Sequence, residues 1–287
     1  IQVANPSGKS GKSGRTNEDG YDVQLELELN EDEAPDAPNR CSEPRLFAIQ
    51  RDRARAQIGS LLARRDYRAL EAIGDQLPPD ILPLIRHLAA RNDLQTEEAY
   101  KLARTLSLPF KLYPAKRAAG EEYRELSEYY LLLRNLQLTG RYSEFVLRLN
   151  PFLTHLMARQ IEMSLPEGAE DVIERWTNGR IKFRADVLRR KLSAEADELD
   201  RRCAVYVTDS ELSLFVGVRL LRILGRLPEH VLCTLEACES LNSVQRNQAA
   251  HQLHAVTDED IKRACVDGNQ KAYGADELVR IFGGMLE

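Results

Sequence analysis

At residue 45 the chain changes period. Before that point, YDVQLELEL at 21–29 sets Val23, Leu25, Leu27 and Leu29 against Asp22, Gln24, Glu26 and Glu28. That is the alternation of a half-buried strand. IQVAN at 1–5 reads as a second strand, and NEDEAPDAPNRCSEP after the alternation as an acidic, Pro-containing linker. Two strands alone do not enclose a core, so they need partners in a larger sheet. With Ile1 inside an apparent strand and no initiating Met, the chain reads as part of a longer protein.

From residue 45 onward, helices are expected over 45–64, 67–76, 79–91, 95–106, 119–138, 141–148, 151–163, 169–175, 184–200, 208–224, 229–238, 243–255, 258–265 and 275–285. Pro78-Pro79, Pro109, Pro114, Gly140, Pro151, Pro166, Gly179 and Pro228 supply the breaks. Thr257, followed three residues later by Asp260, reads as an N-cap. The only further hint of strand is CAVYV at 203–207. The expected fold class is therefore mainly α, with a short N-terminal β fragment.

LLARRDYRALEAI and LQLTGRYSEFVLRL share a cadence, each with a Tyr (Tyr67, Tyr142) just after a turn. Their separation fits no regular tetratricopeptide period, so a helical-repeat scaffold that binds protein partners stands as the alternative to an enzyme.

Charge narrows the partners. The net charge is −5, but residues 1–44 hold four Lys/Arg against ten Asp/Glu, which leaves the remainder near neutral. Strong non-specific binding to duplex DNA is not expected of such a surface; a single strand in a local groove remains compatible with it. No apolar run reaches the ~20 residues that span a bilayer, so no membrane partner is expected. The five cysteines are odd in number and form no Cys-x-x-Cys pair, which points to reduced thiols in a cytoplasmic protein and not to a zinc site. Gly11-Lys12-Ser13 echoes the end of a phosphate-binding loop, but Pro6 stands where the first glycine belongs and no helix follows Ser13. The loop at 6–20 reads as a basic linker.

The segment SVQRNQAAHQLHAV carries the chemistry-bearing residues. At about 100° per residue, Ala249, Ala250, Leu253 and Val256 fall within about 80° of Arg246. Asn247, His251 and His254 fall on the adjoining arc, with His251 about 140° from Arg246. Arg246 and His251 thus do not face one spot on one helix. Two copies of the helix across a shared two-fold cleft would bring them together. RNA supplies its own nucleophile, the 2′-OH. Cleavage then needs a proton carrier near neutral pKa, which His provides, and a cation for the developing phosphate charge, which Arg provides.

RNQAAH resembles the Arg-Asn-x-x-Ala-His form of the HEPN ribonuclease motif. Its surroundings, DEDIKRAC after it, YYLLLRNLQLTGRYSEFVLRLNPFLTHLMARQIE in mid-chain and the APNRCSEP junction, resemble the CRISPR-associated ribonucleases of type III systems. Those join an N-terminal CARF sensor domain to a C-terminal HEPN domain. The resemblance implies that 1–44 is the C-terminal remnant of a CARF sheet with its linker. Residues 45–287 would then be a helical region with the HEPN domain, its motif at 246–251. It further implies a homodimeric endoribonuclease that cuts single-stranded RNA without a metal cofactor, and a composite active site. A cyclic oligoadenylate, the tetramer or hexamer, would be its allosteric activator. Arg246 and His251 would be catalytic and Asn247 auxiliary, with His254 outside the motif.

Overall fold

In a computed structural model the described residues are 44–106, 121–176, 179–251 and 255–286. Their side chains are described over 51–106, 123–176, 179–241 and 255–286. The expected strands at 1–5 and 21–29, the 6–20 loop, Cys41 and the linker up to residue 43 lie outside them, as does His254. The chain divides into two units, 1–60 and 61–287.

The mainly α expectation holds. The helices are α1 (Pro44–Ala63), α2 (Tyr67–Ala72), α3 (Leu82–Asn92), α4 (Thr96–Thr105), α5 (Glu121–Leu138) and α6 (Tyr142–Ser164). They continue with α7 (Ala185–Lys191), α8 (Ser193–Cys203), α9 (Leu214–Leu224), α10 (Glu229–His251), α11 (Asp258–Ala264) and α12 (Ala275–Leu286).

Three of the helix-to-helix turns are built alike. Arg65, Leu94 and Gly140 each adopt the left-handed conformation, with φ of 53°, 57° and 70°. The next amide then reaches back five residues: Asp66 N–H to Leu61 O at 3.0 Å, Gln95 to Ala90 at 2.8 Å and Arg141 to Leu136 at 2.9 Å. This closure satisfies carbonyls that a helix C-terminus would otherwise leave unpaired. In each pair the residue one turn into the second helix is fully buried: Leu70, Ala99 and Phe145. The shared cadence around Tyr67 and Tyr142 is thus a shared turn, and a third instance at Leu94 completes the set. The steps from Arg65 to Leu94 to Gly140 are unequal, so the pairs do not form a regular array.

Helix α6 is the axis of the core. Its buried face runs Phe145, Val146, Leu149, Phe152, Leu153, Leu156, Met157 and Ile161. Phe152 meets Tyr129, Tyr130 and Phe282, with ring centroids 6.2, 6.4 and 5.6 Å away. The helix packs against α5, α9 and α10. The expected break at Pro151 does not occur: the proline sits inside the helix. A mid-helix proline costs about 3 kcal/mol by deleting one hydrogen bond and crowding the carbonyl four residues back. Here that carbonyl belongs to Leu147, a residue on the exposed side of the helix. Burying the large apolar side chains of this face at ~1.5–3 kcal/mol each outweighs the loss.

Three other sequence expectations are corrected. Residues 169–175, read as helix, form a 3-10 turn (Glu170–Val172) that runs into strand β1 (Ile173–Arg175). β1 pairs antiparallel with β2 (Ile181–Phe183), which pairs with β3 (Ser210–Glu211). Buried Ile173, Ile181 and Phe183 anchor this small sheet on the core. CAVYV is not a strand: Cys203 ends α8, and Ala204 at φ 57° turns the chain away. The helix expected from 208 begins only at Leu214, because the Ser213 hydroxyl accepts the Val216 amide at 3.2 Å and caps it.

Candidate functional site

The helices expected at 229–238 and 243–255 are one, α10, ending at His251. Nothing between the two expected segments breaks a helix; Glu239, Ser240, Leu241 and Asn242 carry it through. The consequence is mechanical. The segment that carries Arg246, Asn247 and His251 is the continuation of a helix whose other half is core.

That inner half is held on several sides. Val231, Leu232, Leu235, Ala237, Cys238 and Leu241 are buried. Toward α9, Arg222 bridges Glu229 at 2.7 Å and Glu236 at 2.9 Å, and Arg219 meets Glu239 at 2.8 Å. Each of these Arg side chains is about a quarter exposed or less, where such pairs contribute more than at a fully wetted surface. The pairing descends on one helix as it climbs on the other, so α9 and α10 run antiparallel.

Arg246, Asn247 and His251 all lie on the last two turns of α10. Arg246 stands two turns beyond Glu239 and within about 20° of it around the helix. It therefore continues the edge of α10 that α9 covers. Asn247 falls close to the angular position of Glu229 and Glu236, on that same edge. His251 is turned farther round. The structure thus brings the three residues to one helix end, with Arg246 and His251 on different sides of it.

After the motif, the chain is captured again at once. Val256 is buried, and its amide donates to Ser143 Oγ at the start of α6 at 2.9 Å. Val256 belongs to this connection and not to the motif helix, so its place on the extended helical wheel is corrected. Thr257 and Asp260 make the expected cap in full. The Thr257 hydroxyl accepts the Asp260 amide at 3.2 Å, and Asp260 accepts the Thr257 amide at 3.0 Å.

Two other places were candidates for chemistry. A second Arg–His pair, Arg148 and His155, lies on α6. His155 is lowered from the usual imidazole range by burial first and then by the nearby Arg175 charge. It lines an apolar cleft of about 140 Å³ with Tyr129 and Phe152, and Arg148 is engaged by Tyr129. This pair is structural. A groove of about 410 Å³ at the hairpin turns is lined by Arg64, Arg65, Arg68 and Arg141. Arg68 is bonded to Asp93 and Glu71, Arg141 to Glu144 and Arg65 to Asn135. Carboxylates pair with two of these four arginines, and no histidine lines the groove.

Among the described residues, no cluster of three His, Cys, Asp or Glu forms a metal-binding group, and no helix is long and apolar enough to cross a membrane. Cys203, Cys233, Cys238 and Cys265 are free and buried.

Residues 112–283 match the family described as the Cas_Csm6 HEPN domain. The chain is 28% identical over 272 residues to a CRISPR system endoribonuclease Csm6 of Mycobacterium tuberculosis (strain ATCC 25618 / H37Rv), covering 92% of this chain and 59% of that protein. Its fold matches Enterococcus italicus Csm6 bound to cyclic hexa-2'-fluoro-hexa-dAMP with a TM-score of 0.60 at 17% identity, covering 91% of this chain and 58% of that one. The chain therefore spans less than two thirds of the length of these relatives.

Proposed function

The chain belongs to the Csm6 HEPN family, and on that premise we propose that it is an endoribonuclease of CRISPR antiviral defence, cutting single-stranded RNA without a metal ion. The observation that carries this reading is the position of the motif. An Arg-Asn-x-x-Ala-His motif lies on the last two turns of α10, a helix clamped to the core by its other half.

In this reading His251 moves the proton between the 2′-OH and the leaving oxygen, a task suited to an imidazole near neutral pKa. Arg246 stabilises the charge that grows on the phosphate. Asn247 orients the imidazole or a ribose hydroxyl. Because Arg246 and His251 diverge by about 140° on one helix, each active site takes its residues from two copies of the chain. The proposed protein is a homodimer, cytoplasmic, and nearly inert as a monomer.

Regulation follows from the rest of the molecule. We assign residues 1–44 to the end of a CARF sensor and its linker, and 45–287 to the helical region with the HEPN domain. A cyclic oligoadenylate held by paired sensors would set the distance between the two α10 ends. The solved relative is bound to cyclic hexa-2'-fluoro-hexa-dAMP, which supports this class of activator here.

The test is cleavage of a fluorescent single-stranded RNA by the protein in EDTA, with cyclic tetra- or hexa-adenylate added. His251→Ala and Arg246→Ala should each lower the rate at least about a hundredfold, the usual scale of a lost acid–base or oxyanion group. Cleavage by His251→Ala at the parent rate would refute the assignment.

A further inference from the structure

Phe215 is a large apolar side chain on the first turn of α9, yet 41% of it is exposed. It is also held in place. The Arg219 guanidinium lies 3.5 Å from the ring centroid. The same group donates to the Phe215 carbonyl at 2.8 Å and to Glu239 of α10 at 2.8 Å. One face of the ring rests on a fixed cation, and part of the residue is open to solvent. An aromatic side chain with its rotamer fixed before anything binds has little conformational freedom left to lose.

The register of the two helices locates this ring relative to the motif. Arg222 meets Glu236 and Arg219 meets Glu239, so three residues down α9 correspond to three residues up α10. Continued by one turn, the antiparallel pairing sets Phe215 level with Ser243. Arg246 begins about 4.5 Å farther along the same axis. Phe215 and Arg219 share a face of α9, four residues apart, and Arg219 uses that face to reach α10. Phe215 therefore stands on the α10 side of α9. Arg246 and Asn247 continue the α9 side of α10, just past the point where α9 starts.

We propose that Phe215 is the base-stacking residue of this active site: its open face takes a nucleobase of the single-stranded RNA next to the phosphate held at Arg246. This rests on the ribonuclease reading above and deepens it. Every base has a π-face, so a stacking platform binds an unpaired strand without demanding one sequence. The neighbouring Arg219 is neutralised by Glu239, so the contribution of Phe215 is stacking and not charge. Stacked bases are worth ~1–3 kcal/mol each, which corresponds to about a 5- to 150-fold change in affinity.

Two measurements on the whole chain test this. First, a single-stranded 2′-O-methyl RNA carrying 5-iodouracil, which cannot be cut through a 2′-OH, is irradiated in the complex, and crosslinked peptides are identified. The expected adduct is on Phe215; adducts only elsewhere overturn the proposal. Second, steady-state cleavage is compared for Phe215→Ala, Phe215→Leu and Phe215→Trp. Phe215→Ala and Phe215→Leu should raise KM about tenfold or more with kcat little changed, and Phe215→Trp should restore it. An unchanged KM, or rescue by leucine as good as by tryptophan, overturns it. So does a KM effect matched by a weakened dimer in sedimentation, because the ring would then be an interface contact. If the parent crosslinks through Phe215 but cuts no RNA under any activator, the catalytic reading fails while the stacking site stands.

Discussion

Ser143, one residue into α6, accepts the amide of Val256 at 2.9 Å. The link ties the return from the motif to the central helix of the core, more than a hundred residues earlier in the chain. Leu241 on the way in and Val256 on the way out are both buried. The motif segment is thus strung between two fixed points.

Ser143→Ala should loosen the second of them. It leaves the buried Val256 amide without its acceptor, a loss of about 1–3 kcal/mol. Urea unfolding would read this as a lower midpoint with an unchanged slope. RNA cleavage should fall as well, by more than the change in folded fraction accounts for.

Gly283 on α12 faces Tyr130 so closely that an added Cβ would stand 2.6 Å from the phenol oxygen. Gly283→Ala should therefore destabilise the protein by about 1–3 kcal/mol, as overpacking of a core does. Removing the hydroxyl gives the methyl room. The pair Gly283→Ala with Tyr130→Phe should be more stable than the sum of the single changes by at least ~0.5 kcal/mol. Strict additivity in thermal or urea denaturation would contradict the contact.

Tyr273 is pushed up to about 12, by burial first and then by its hydrogen bond to Asp267, against an opposing bond to Thr234. An unfolded tyrosine ionises near 10. The folded value is the higher one, so this contribution to stability is complete below pH 10 and is lost as the pH rises toward 12. Between those values the unfolded chain carries fewer protons. A stability profile of Tyr273→Phe should be flatter than the parent in that window. An identical fall in both proteins would exclude Tyr273 as its source.

Cys238 and Cys265 join α10 to the end of α11, each fully shielded from solvent. Their mutual hydrogen bond, with burial second, holds the Cys238 thiol well above its ordinary range. A neutral, covered thiol is a poor nucleophile. Peptide mapping after treatment with an aromatic disulfide reagent should show both unmodified in the native protein and both labelled in urea. Rapid native labelling of either would show that α10 and α11 separate readily.

The candidate motif was legible before any fold was known. Arg246, Asn247 and His251 are close in sequence, and a helix period is enough to show that the first and last of them diverge. Thr257 and Asp260 announced their cap for the same reason: the interaction is local. Phe215 was not legible. FVGVR reads as the apolar opening of a buried helix, and it takes the ion pairs from Arg219 and Arg222 to α10 to show which side of α9 looks at it. The merger of two expected helices into α10 was missed because the segments were delimited by their apolar patterns. The polar stretch between them breaks nothing.

Sequence alone determined the helical period and the turns at Asp66, Gly140 and Thr257. All of these are set by interactions within a few residues. The tertiary structure decided that Pro151 lies inside a helix, because burial around Phe152 outweighs one lost hydrogen bond. It also decided that strands of two or three residues pair at Ile173, Ile181 and Ser210, and that α9 runs antiparallel to α10. Those outcomes depend on contacts between residues far apart in the chain, whose energies appear only once the core has formed.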